Sequence, residues 1–508
     1  MKNTRRSVGA AGMALGLVVA IGAALVFAGG GGESVVGTNT LINPPGVITV
    51  NNSPNVVRDP EDGDRLVVTH RIDRPGFSAL MEWSEDGGTT WQPTALPLPP
   101  GTPACAASPE RTPCPFAPDA AFGPDGTLYV LYVSLEGNGN TPGALWLARS
   151  FDGGRTLDPP VEVAGELTFQ PRIAVDPEGT VHLIWLAAEA VGLNQLTGPA
   201  RIVAARSTDG GRTFSAPVPV SDADRERVGA ASPVIDADGA LVVLYQDLLR
   251  NRRDAEGLEG PVAEDPFALV VTRSDDGGQS FTTGVEVEPE LVPTKRFLIF
   301  LPDFPSLTAG PDGVLYVAWT DGRGGDEDVL IRRSSDGGAT WSEPVQVNDN
   351  AAGDGTAQYL PRLSVAPGGR VDVLFYDRRA DPANTMTEVY LASSDDEAGT
   401  FTNQRVSSVA FDSSVGPTFG PAYGTDFGTR LGLTSNDDRA YAAWTDTRLG
   451  NQDTGRQDVF GATISLGSGG RLSVLLPVLA VLVLIGAAGA WLLRRRARAT
   501  PAAPGEPT

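Results

Sequence analysis

Three arginines stand at comparable places in the chain. Arg172 in "QPRI", Arg362 in "LPRL" and Arg430 in "GTRLG" each open an apolar run, some six to eight residues before a glycine turn or its equivalent. A guanidinium is a planar fork of donors that stays charged, so three of them facing one cavity would grip a carboxylate. A second set pairs Asp321 with Arg323 in "WTDGR", Asp377 with Arg379 in "YDRR" and Asp446 with Arg448 in "WTDTR". Such pairs either fix a loop base between neighbouring elements or send their arginines toward a common mouth. Other chemistry is scarce. With two histidines, His70 and His182, and two cysteines, Cys105 and Cys114, most nucleophilic triads, zinc sites and thiol mechanisms lack their residues. His182 in "TVHLIW" reads as an ordinary strand residue. A net charge of -23 repels phosphate backbones and excludes nucleic acid as a partner.

The elements that must position these groups repeat. "SEDGGTTW" at Ser84, "SFDGGRTL" at Ser150, "STDGGRTF" at Ser207, "SDDGGQSF" at Ser274 and "SSDGGATW" at Ser334 are copies of one turn, and "SSDDEAGTF" from Ser393 is a degraded sixth. Upstream of each later copy lies a second turn followed by an alternating apolar run, as in "GPDGTLYVLYV", a strong hairpin signal. Each unit reads as strand A, a glycine turn, strand B, a variable loop, strand C, the Ser-x-Asp turn and strand D. That is a propeller blade, which buries both faces only by stacking around an axis. Equivalent positions on different blades, the arginines included, then converge on that axis.

The turns count seven units, but the last stops after strand C, "QDVFGATIS". "PPGVITVNN" at Pro44 to Asn52 resembles the D segment "SEPVQVNDN", so the expected fold is an all-β, seven-bladed β-propeller closed by an N-terminal strand. In the repeated turn, glycine supplies positive φ, Asp and Ser bond turn N–H groups, and the final aromatic is buried. Asp86, Asp152, Asp209, Asp276 and Asp336 are therefore read as structural.

These copies resemble the Asp-box, or BNR, repeats of the sialidase superfamily over about residues 45 to 465. The resemblance implies that the boxes lie away from the working face, which carries the B–C and D–A loops. It implies an arginine triad, Arg172, Arg362 and Arg430, for a sugar carboxylate. It also implies a Tyr nucleophile with a Glu partner and an Asp acid, for which Tyr359, Tyr376, Tyr423 and Asp303 in "LPDFP" are placed. The chain departs from the pattern: "FQPRI" has the order of the family's "(F/Y)RIP" altered, and no Glu is clearly placed beside those tyrosines. Seven blades also differ from the six usual for sialidases.

The ends add a membrane expectation. Residues 1–28 read as a signal peptide or signal anchor, 29–43 as a linker, 44–465 as the propeller, 466–471 as a short linker, 472–493 as a transmembrane helix of about the roughly 20 residues a bilayer needs, and 494–508 as a basic, then disordered, cytoplasmic tail. The chain is thus expected at the cell membrane, single-pass, or two-pass if the first segment is retained, with the propeller outside. The six-residue tether would hold the box face near the lipid, with the loops looking outward. An extracytoplasmic Cys105–Cys114 disulfide follows from that placement. "GDEDV" near Asp326 and "NDNAAGDG" near Asp349 offer the oxygen ligands calcium takes, or are solvated acidic loops; no other cofactor is indicated. The aromatic segment from Phe411 to Arg430 should form part of the rim, and the charged insertion 248–266 suits a partner-binding arm. Three functions fit: recognition of a glycan or surface protein, exo-glycoside hydrolysis of an acidic sugar, or a surface assembly scaffold.

Overall fold

The computed structural model describes residues 34–46, 49–98, 114–136, 141–192, 195–196, 198–249, 266–294, 303–418 and 425–467. Among the described residues, seven antiparallel sheets of four or five strands follow one another along the chain. Blade 1 starts with Val50–Arg58, blade 2 with Cys114–Phe122, blade 3 with Thr168–Val175, blade 4 with Val228–Ile235, blade 5 with Ser306–Ala309, blade 6 with Gln358–Val365 and blade 7 with Gly432–Ser435. The B strands are buried along their length; in blade 6, Val371–Asp377 has no exposed residue. A strand sandwiched by neighbours on both sides must be apolar on both faces, which is why "VDVLFYD" alternates so weakly. The apolar clusters bridge successive blades: Val242, Leu244 and Leu269 of blade 4, for example, pack with Leu315, Val317 and Trp319 of blade 5.

The ring closes as expected but with different residues. Thr40–Leu41 pairs antiparallel with strand C of blade 7, Asp458–Ser465, as its D strand. Val50 to Asn52 instead begin strand A of blade 1. The D position is marked by an asparagine that ties it to strand C. Asn43 donates to Asp458 (3.0 Å) and accepts from Val459 N (2.7 Å), as Asn348 donates to Asp328 (2.8 Å) and accepts from Val329 N (2.9 Å) in blade 5. "LIN", not "ITVNN", is the counterpart of "QVN".

The repeated turn works as read. In the fifth copy Ser334 Oγ donates to Asp336 (2.8 Å) and accepts from Gly338 N (2.9 Å), while Asp336 accepts from Thr340 N (2.9 Å) and Thr340 Oγ1 (2.6 Å). The second glycine is needed for packing as well as for φ. A Cβ on Gly211 would lie 2.7 Å from Leu147 of the preceding blade. The sixth copy begins at Ser394, one residue later than expected. Glu397 and Ala398 adopt φ of 57° and 63° in the glycine positions, and Asp396 takes the Asp role.

Cys105 and residues 472–493 lie outside the described residues, so the expected bridge and membrane helix do too. Among the described residues, no helix is long and apolar enough to cross a membrane.

Candidate functional site

Near the start of five A strands, two residues oppose one on strand B. The pairing jumps between Asn52 and Asn55, Phe116 and Asp119, Phe169 and Arg172, Gly229 and Ser232, and Tyr359 and Arg362. The first bulged residue has positive φ (Ser53, Ala117, Gln170, Ala230, Leu360) and four of the five precede proline, which has no N–H for the ladder. The bulge re-aims the residue after it. Asn55, Asp119, Arg172, Ser232, Ser306 and Arg362 all stand three residues before the last A–B pair of their blade. Several of them latch blades together: Asp119 accepts from Ile173 N (3.2 Å), Ser232 from Leu307 N (3.2 Å) and Ser306 from Leu363 N (2.9 Å).

Arg172 and Arg362 therefore share one register, but Arg430 does not. The seventh register position is Gly432, where a Cβ would meet Val56 N at 3.0 Å. Arg430 sits two residues earlier and reaches into blades 1 and 2, donating to Ser53 O (3.3 Å), Pro118 O and Asp119 (3.2 Å). The three guanidiniums nevertheless share one field. Burial, then the charges of Arg430 and Arg362, push Arg172 down to about 9, with Asp119 opposing. Burial likewise lowers Arg362 and Arg430.

Partners are few for so much buried charge. Asp119 is the one carboxylate paired with this trio among the described residues. Arg172 donates to Pro171 O (2.7 Å) and lies 4.3 Å from the Phe304 ring centroid. Arg362 donates to Asn55 (3.3 Å), and its Nε is a buried donor without a partner. Beside them opens a small cleft of about 40 Å³, partly open to solvent, bounded by Arg71, Arg172, Arg430, Phe116, Phe169 and Phe304 among others.

Sequence reasoning missed the group at its edge. Arg71, at the end of strand B of blade 1, binds Asp73 (2.8 Å) and Asp426, all three buried. Burial and the neighbouring Asp73 raise the Asp426 carboxyl to about 7, although Arg71 holds it down. One of these two carboxyls thus keeps a proton to near neutral pH. "HRIDR" showed the charges but not the loop, Asp426 to Gly428, that returns to meet them.

The expected tyrosines are elsewhere. Tyr359 is buried in blade 6, its hydroxyl by Thr387 Oγ1 (3.3 Å) and Arg378 (3.3 Å), and does not bound the cleft. Tyr376 is fully buried, and burial raises its hydroxyl well above the ordinary range. Tyr423 lies outside the described residues. Asp303 is half-buried; its carbonyl accepts from Gln246 (3.0 Å), and the next residue, Phe304, crosses to donate to Thr429 O (3.4 Å).

The rim pairs fix loop bases. Arg323 binds Asp321 (2.6 Å), Arg379 binds Asp377 (2.6 Å) and Arg448 binds Asp446 (2.7 Å), with each carboxylate buried. Trp319 and Trp444 donate to the same Asp oxygens at 2.9 Å. Asp326 accepts from Gly353 N (3.0 Å) and Gly355 N (2.7 Å), and no group of three His, Cys, Asp or Glu among the described residues is arranged for a metal. Of the rim aromatics, Phe411 and Phe427 stack on each other at 5.8 Å inside the protein.

No family model and no curated protein matches the chain. Among solved structures it is similar to a protein of unknown function from Dyadobacter fermentans, at 15% identity over 86% of this chain and 100% of that one, TM-score 0.47. It is also similar to a Hadza microbial sialidase, at 19% identity over 64% and 63%, TM-score 0.46, and to an α-L-arabinofuranosidase from Fusarium graminearum, at 14% over 73% and 97%, TM-score 0.43. Likenesses this distant carry no residue of the site across.

Proposed function

We propose that this propeller recognises an anionic group, carried by a glycan or a surface protein, in the axial cleft on the face opposite the Ser-x-Asp turns. The observation that carries the reading is a surplus of guanidinium at the cleft: Arg172 and Arg430, both buried, and the half-buried Arg362 near them, against Asp119. Buried charge is costly without a partner, and a bound carboxylate would supply one. The six turns support membership of the Asp-box superfamily, and the sequence at 472–493 supports attachment to a membrane with the propeller outside; the Cys105–Cys114 bridge belongs to the same proposal.

A second reading, exo-glycosidase action on an acidic sugar, is favoured by the Asp73–Asp426 pair. A carboxyl protonated near neutral pH has the proton affinity a general acid requires, and this pair lies behind Arg71, which bounds the cleft. One experiment separates the two. The purified chain and its Arg172→Met, Arg362→Met double variant are given acetate, glucuronate and a panel of fluorogenic glycosides, sialosides included. Recognition predicts anion binding lost in the variant with no turnover; hydrolysis predicts turnover lost as well. An anion affinity equal in both proteins overturns the site.

A further inference from the structure

The walls of the cleft are unlike those a sugar needs. Phe304 presents its ring, the packed side chains of Phe116 and Phe169 stand behind it, and Val133, Ala117 and Pro118 complete an apolar lining. The hydroxyls and amide among its residues are engaged by the fold. Ser53 Oγ donates to Asn52 (3.1 Å) and accepts from Thr429 N (3.0 Å), and Gln170 Oε1 accepts from Ala230 N (2.7 Å). Arg430 spends Nε, Nη1 and Nη2 on Ser53, Asp119 and Pro118. Among the described residues Arg172 makes one hydrogen bond, to its neighbour's carbonyl, and it is nine-tenths buried against the cleft.

We infer that the ligand is a carboxylate on a flat or branched apolar body, gripped by Arg172 and packed against the Phe304 ring and the apolar lining beside it, and not a polyhydroxylated sugar acid. This rests on the reading of the cleft as an anion site and narrows it. Each sugar hydroxyl moved from water against a phenyl wall loses hydrogen bonds that nothing there returns. An apolar body gains from the same transfer, and the Phe304 ring, already on the Arg172 guanidinium, extends the stack. The chemistry has two sources: a free arylalkyl or alkyl acid, or the C-terminal residue of a peptide ending in Phe or Leu.

The test uses the purified full-length chain and titration calorimetry with 3-phenylpropionate, hexanoate, glucuronate, N-acetylneuraminate, 3-phenylpropionamide and a blocked tetrapeptide ending in Phe. The expected result is at least tenfold tighter binding of 3-phenylpropionate than of either sugar acid, and none of the amide. Tighter binding of the peptide than of the free acids assigns the source to a chain terminus; the reverse assigns it to a small acid. Phe304→Ala should bring the ratio between 3-phenylpropionate and glucuronate to within about threefold, and Phe304→Leu should keep most of it, which guards against a folding defect in the first variant. Sugar acids binding more tightly than 3-phenylpropionate would overturn the inference while leaving the anion site standing. No anion binding at all would overturn both.

Discussion

Arg172→Met should make the ligand-free protein more stable. The guanidinium falls from its ordinary 12.5 to about 9 on folding, because burial and the neighbouring arginines disfavour its charge. At 1.36 kcal/mol per pKa step, that is on the order of 5 kcal/mol against the folded state. Methionine fills a similar volume without charge but loses the ring contact with Phe304, worth about 1–2 kcal/mol. A net gain of about 3–4 kcal/mol remains, in line with other replacements of buried ions by apolar side chains. For roughly 430 residues, Val36–Ser465, the unfolding entropy makes this about 3–4 °C in Tm. The sign fixes the pH behaviour. Below pH 9 the folded and unfolded chains both hold the Arg172 proton, so the penalty is fully present and the gain is flat from pH 6 to 8; it shrinks only as pH climbs above 9. Differential scanning fluorimetry of both proteins in a non-carboxylate buffer reads it directly. A variant melting lower than wild type without ligand would show that Arg172 is already compensated, and the case for an anion site would fall with it.

Asp119→Asn strips the trio of its paired carboxylate and should cost about 3–5 kcal/mol, seen as a lower Tm and a steeper dependence of Tm on added anion. Asp426→Asn tests the proton held behind Arg71. An acid raised from 3.8 to about 7 binds its proton more tightly when folded, so wild-type stability relative to the variant should fall between pH 4 and 7 and level off above, and a flat difference would refute the assignment. Ser334→Ala removes the acceptor for Gly338 N and the donor to Asp336, at about 1–2 kcal/mol, with anion affinity unchanged in calorimetry.

The architecture was legible because each blade repeats the same solutions. Asp-Gly turns between apolar runs locate the A and B strands, and Ser-x-Asp turns locate C and D. The closing strand was misplaced because "ITV" carries the apolar pattern, whereas the position is defined by what Asn43 bonds, and a single asparagine gives no periodic signal. All three arginines were grouped on their distance from a turn. A proline-marked bulge does put Arg172 and Arg362 in one register, whereas Arg430 meets them by reaching across two blades. The phenylalanine walls and the Arg71–Asp73–Asp426 group were not legible at all. They join strand ends from blades 1, 2, 3, 5 and 7, and no local pattern reports which ends meet over an axis.

Closure by Thr40–Leu41 also puts a clock on the molecule. Asn43 and its partner Val459 are 416 residues apart in the chain. At roughly 5–20 residues per second of synthesis, the first strand made waits on the order of 20–80 s for the strand it completes. Throughout that interval Ile42, buried in the finished protein, has nothing to cover it, and the growing array has an open edge at either side. Six blades can form in order as they emerge, but the seventh is assembled from the first and last residues of the ring together. Folding of this propeller thus departs from its synthesis order at one point: the N-terminal closing strand docks last, and a chain interrupted before residue 458 leaves the circle unsealed.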